Sequence, residues 1–95
     1  MPAPIPFFFL VHLTDADGGR LASEEVWFEN GETPDAALAA VTAAGFFASD
    51  LHGLTESEVE AATVNVHGPY HVAPTPAFSA SVVEDDAAPT GWSVA

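Results

Sequence analysis

The chain has no cysteine, no lysine, one arginine, and no apolar run long enough to cross a bilayer. Without thiols it can have no disulfide scaffold, no thiolate metal site and no cysteine nucleophile. Its longest apolar stretch, Phe7 to Val11 and on to Leu13 across His12, falls far short of the roughly 20 residues a spanning helix needs. No cation precedes that stretch, so the charged first region of a secretory signal is missing and a cytoplasmic protein is expected. With 95 residues, 48% of them hydrophobic and 11% aromatic, there is apolar mass for one small folded domain rather than a disordered chain.

The missing cations are the most informative absence. Fourteen acidic residues face the single Arg20, for a net charge of −13. Charged residues make up 16% of the chain, against roughly 25% in ordinary proteins, so it is the basic residues that have been removed. Nucleic acid and anionic membranes are bound mainly through Lys and Arg, and this surface repels both. It attracts basic protein surfaces and speeds encounter with them. A halophile would reach such a balance chiefly by adding carboxylates, and a GC-rich genome would replace Lys by Arg. Selection to occupy a basic, nucleic-acid-binding groove removes both cations and fits best.

Hydropathy patterning predicts an α+β fold in the order β-β-α-α-β-β, with a four-stranded, mainly antiparallel sheet and one main helix on one face. Met1–Pro6 is a proline-spaced lead-in. Phe7–Thr14, apolar on both faces, suits a central strand, and Asp15–Gly19 is a turn signal that leads into a second strand over Leu21–Glu29. On that strand Glu25, Trp27 and Glu29 share one face and Ala22, Glu24, Val26 and Phe28 the other, which points to an edge position with Trp27 half-covered. Asn30-Gly31 ends the hairpin. A helix over about Pro34–Ala44 is expected, with Thr33 as N-cap, Leu38, Val41 and Thr42 on one face, and Gly45 as its stop; Phe46 and Phe47 then return to the core. Thr55-Glu-Ser-Glu58 is a capping box opening a short helix to about Ala62. Val64 and Val66 of the next strand point inward, with Thr63, Asn65 and His67 outward; Gly68-Pro69 reads as a turn, Tyr70–Ala73 as extended, Pro74-x-Pro76 as an irregular link, and Ala77–Val83 as the last strand. The domain is thus expected over residues 1–83, with 84–95 as an acidic C-terminal tail in which Trp92 is a candidate partner anchor like Trp27, or else disordered or docked back on the sheet.

Catalytic signatures are weak. The serines lack an elbow-type glycine context, there is no Gly-rich phosphate loop, and one arginine offers almost no clamp for a phosphate substrate. No enzyme activity and no cofactor are expected. His67 and His71 flank Gly-Pro-Tyr, with His12 and His52 elsewhere, and read as surface imidazoles rather than metal ligands. Asp15-Ala-Asp17-Gly18 begins like a calcium loop but lacks its distal ligands, so a hairpin turn is favoured.

The carboxylates do cluster, as Glu24, Glu25, Glu29, Glu32 and Asp35, then Glu56, Glu58 and Glu60, then Glu84, Asp85 and Asp86. Alternate residues on a strand lie about 6.6–6.8 Å apart, comparable to the spacing of phosphates along an extended nucleic-acid strand. Size and charge resemble those of small acidic phage inhibitors of host defence, such as anti-CRISPR proteins, with no motif behind the likeness. The expectation is a non-enzymatic phage or mobile-element inhibitor, a monomer or small homo-oligomer, that blocks a basic nucleic-acid-binding surface of a host protein. Its contacts would be Glu24, Glu25, Trp27, Glu29, Glu32, Asp35, Glu56 and Glu60. The alternatives are a structural or virion-assembly module pairing through an exposed sheet edge, and a halophile's ordinary domain, whose fold would need molar salt.

Overall fold

The computed structural model describes residues 6–29, 32–71 and 78–95. The readings of Met1–Ile5, of Asn30-Gly31 and of the 72–77 link therefore lie outside the described residues. Strands β1 (Phe7–Thr14) and β2 (Arg20–Phe28) form a hairpin, followed by helices α1 (Ala36–Phe47) and α2 (Glu56–Ala61), then strands β3 (Thr63–Tyr70), β4 (Phe78–Ala80), β5 (Val82–Glu84) and β6 (Trp92–Val94). Sheet A is antiparallel in the order β2-β1-β3-β4, and β5-β6 make a separate two-stranded sheet. The expected α+β architecture is present, with β1 central and β2 at an edge.

Alternation along β1 sends Phe7, Phe9, Val11 and Leu13 to the helix side, where Val26 and Phe28 of β2 and Val64 and Val66 of β3 join them. Phe7 stacks on Phe28 with ring centroids 5.1 Å apart, and Phe9 meets Phe28 edge-on at 5.6 Å. Fully burying a side chain such as Phe9 contributes about 1.5–3 kcal/mol.

Helix α1 buries Ala39, Ala40, Val41, Ala43, Ala44 and Phe47, whereas Leu38 and Phe46 are exposed. Of the expected Leu38–Val41–Thr42 face only Val41 is in the core, with Leu38 exposed and Thr42 half-buried, and Phe46 does not return to the core. The sheet supplies the bulky rings and the helix supplies small side chains, which lets the two layers approach closely. Because α1 packs against β6 as well as β1, β2 and β3, its buried arc is wide.

The helix boundaries also differ from expectation. Asp35, not Thr33, is the N-cap; its carboxylate accepts the Leu38 amide at 3.0 Å. Gly45 does not end the helix, which runs on until Phe47 is in the core and the Ala48 amide reaches the Ala44 carbonyl. A Cβ at Gly45 would meet nothing within 4 Å. Gly45→Ala is therefore expected to stabilise the fold by about 1 kcal/mol. In a far-UV CD melt of a domain this size, that raises Tm by roughly 4–8 °C. Helix α2 carries the anticipated capping box: Thr55 accepts the Glu58 amide, and Glu58 accepts the Thr55 amide at 3.0 Å.

The last segment is not a tail, and Trp92 is a core residue rather than an exposed anchor. Val82 and Trp92 are buried, Val82 pairs with Val94, and Asp85 builds the intervening turn, accepting the Ala87 amide at 3.0 Å while its own amide donates to Gly91 O. The strand expected over Ala77–Val83 breaks at the exposed Ser81, leaving β4 in sheet A and β5 with β6.

Candidate binding site

Strand alternation and pairing put Phe8, Leu10, His12 and Thr14 of β1, Ser23, Glu25 and Trp27 of β2, and Asn65, His67 and Tyr70 of β3 on the side of sheet A opposite α1. Among the described residues no helix covers this face. Trp27 remains 55% exposed and Tyr70 43%. Phe8 lies between them across three strands, its ring 4.6 Å from Trp27 and 5.0 Å from Tyr70. The His71 ring completes the group, 5.4 Å from Phe8 and 6.1 Å from Trp27, on a backbone with φ 79°, a conformation uncommon for a residue with a side chain.

A bulge builds this aromatic row. Leu10 pairs with His67, and regular pairing would set Phe8 opposite Pro69; the register shifts by one residue, so Phe8 faces Tyr70 instead. The shift turns Pro69 into the core and Tyr70 onto the open face. Gly68-Pro69 thus lies within β3 and is not the expected turn; its peptide is cis. Gly68 has φ +129°, and a Cβ there would sit 3.1 Å from the Phe8 carbonyl oxygen, so only glycine fits without displacement.

Of the residues singled out in the sequence, Glu25 and Trp27 come together: the indole Nε1–H donates to Glu25 Oε1 at 3.3 Å. Trp27 separates two open depressions on the edge strand. One is lined by Leu10, Ser23, Glu24 and Glu25, the other by Pro6, Phe28 and Glu29, so carboxylates flank the ring on both sides. Glu24 points to the opposite side of β2 from Glu25 and pairs with His52 Nε2 at 2.6 Å, tying the loop after α1 to the edge. Glu32 accepts the Glu29 amide at 2.6 Å and Asp35 caps α1, so both hold local backbone.

Glu56 and Glu60 lie elsewhere, on α2, which sends Val59 into the core and packs against β5. There they join Glu84. Partial desolvation, then the charges of Glu56, Glu60 and Asp86, push the Glu84 carboxyl above its ordinary value. A raised carboxyl pKa means that the ionised form opposes folding. The penalty is absent below the unfolded pKa, grows as pH rises through the folded value, and is complete at neutral pH. Glu84→Gln is expected to raise Tm at pH 7 in low salt, with the gain shrinking as salt is added and vanishing in acid; paired thermal melts check this.

Phe8, Leu10 and Tyr70 are not among the residues that the sequence singles out, and His71 is singled out there only as half of a histidine pair. For Phe8 and Leu10 the signal was present: β1 is apolar on both faces, yet only one helix was expected to cover the sheet. Tyr70 was hidden by the bulge. His67 lies beside His12, with rings 5.6 Å apart, and His71 beside Trp27. Among the described residues, no group of three His, Cys, Asp or Glu is placed to hold a metal ion. The Asp15–Gly19 segment is a hairpin turn in which Asp15 Oδ1 accepts the Asp17 and Gly19 amides at 2.9 and 2.8 Å. No helix of the described residues is long and apolar enough to cross a membrane. No protein family, curated protein or solved structure matches the chain.

Proposed function

We propose that this chain is a non-enzymatic interaction protein that docks its open sheet face on a basic, nucleic-acid-binding surface of another protein and keeps nucleic acid away from it. The observation that carries the reading is Trp27: an exposed indole on an edge strand, backed by Phe8 and flanked by Glu25 on one side and Glu29 on the other. Tryptophan is enriched among the residues that anchor protein interfaces, and an anchor ringed by carboxylates selects a partner that is cationic and partly apolar. Net charge −13 adds long-range attraction to such a partner. An inhibitor carried by a phage or mobile element, acting as anti-CRISPR proteins do, is the setting that suits this size and charge.

The test is capture of partners from nuclease-treated lysate of the host, followed by a challenge of the complex with DNA or RNA. Release of one nucleic-acid-binding machine on addition of nucleic acid supports the competitor role. A second reading, self-assembly, is favoured by the nine residues of β2, whose outer edge has no strand partner among the described residues. Recovery of self-copies alone, with a salt-independent oligomer in size-exclusion chromatography, would replace the first reading with the second.

A further inference from the structure

The one arginine is placed where the acidic surface does not explain it. Among the described residues Arg20 has no carboxylate within 4.0 Å, although the chain carries 14 acidic side chains. Instead it lines a depression at the far end of the open face from Trp27, together with His12, Thr14, Gly18, Asn65 and His67. We propose that this depression is an oxyanion site, in which the Arg20 guanidinium and the His12 and His67 imidazoles hold a carboxylate or a phosphate group.

Three strands converge to make it. His12 comes from β1, Arg20 from the start of β2 opposite Thr14, and His67 from β3. The polar floor is already braced: Asn65 Nδ2 donates to Thr14 Oγ1 at 2.9 Å, and Asn65 Oδ1 accepts from Ser79 at 2.8 Å. His12 Nδ1 is engaged with Ser23 Oγ at 2.7 Å, which leaves Nε2 for a ligand. Asp15, the nearby carboxylate of the β1–β2 turn, has Oδ1 committed to the Asp17 and Gly19 amides. Partial burial, then the neighbouring Arg20 and His67, hold His12 below the usual imidazole value. A guanidinium presents a planar fork that matches two oxygens of a carboxylate or phosphate. Repulsion from the rest of the molecule is screened beyond about 8 Å at physiological ionic strength. This site is independent of the docking role of Trp27.

The test is an NMR titration of the four histidine side chains in the full chain at about pH 6. Sodium phosphate is used in one arm and sodium acetate in the other, at ionic strength held constant with sodium chloride. Saturable shifts of His12 and His67, with His52 and His71 unmoved, are expected. Arg20→Gln, an exposed change that leaves the amide spectrum dispersed, is expected to weaken binding roughly tenfold or more. Saturation in the phosphate arm alone assigns the site to phosphate, and saturation by acetate assigns it to carboxylates. Shifts that never saturate, that affect all four histidines alike, or that survive Arg20→Gln at full affinity would overturn the proposal.

Discussion

Trp92→Ala is expected to cost about 3–5 kcal/mol of stability, the usual loss when a large buried aromatic is truncated. Domains of this size are stable by only about 5–15 kcal/mol in total, so the variant should melt tens of degrees lower or fail to fold cooperatively. The reason is its position: Trp92 is 6% exposed on β6, which packs on α1 and pairs with β5, whose Val82 is fully buried. Leu51→Ala, at a residue 78% exposed, is the matched control and should stay within about 0.5 kcal/mol. Urea titration of the two variants separates the outcomes. Equal midpoints would mean that the last twelve residues do not contribute to the core.

That segment shows what a single sequence leaves hidden. The hairpin Phe7–Phe28, the capping box at Thr55 and the inward Val64 and Val66 are local signals, and they are present where patterning placed them. Trp92, between Gly91 and Ser93, sits in a three-residue strand too short for any alternation to register; pairing with β5 and packing on α1 fix it. The helix face was misread because α1 is apolar nearly all round. The choice of Ala39, Ala40, Ala43 and Ala44 over Leu38 is made by the Phe7, Phe9 and Phe28 rings opposite. The candidate site was half legible. Glu25 and Trp27 on one face follow from period-two alternation, but Tyr70 reaches that face through a one-residue bulge that no periodicity announces. Charge clustering along the chain does not translate into one face, since Glu32 and Asp35 hold local backbone and Glu56 and Glu60 lie near Glu84, away from Trp27.

The second large effect concerns binding. Truncating an anchor tryptophan at an interface typically costs 2 kcal/mol or more, roughly thirtyfold in affinity. Trp27→Ala is expected to weaken capture of the basic partner by at least about that factor, mostly through faster dissociation. Its stability cost should be small, because the ring is more than half exposed. Glu25→Gln with Glu29→Gln should instead slow association and flatten its salt dependence, since carboxylates at the rim steer encounter more than they hold the complex. Surface plasmon resonance at two salt concentrations resolves the two signatures.

Charge alone would let any acidic patch on the molecule serve, and a charge-matched comparison removes that ambiguity. Two baits, one carrying Glu25→Gln and Glu29→Gln and the other Glu56→Gln and Glu60→Gln, have the same net charge and are used in parallel with the unaltered chain on one nuclease-treated lysate. If the open face around Trp27 is the docking surface, the first bait, slowed in association, recovers less of the nucleic-acid-binding partner than the unaltered chain, and the second recovers as much. Equal retention by both, or loss only from the second, would contradict the docking of this face on a basic surface.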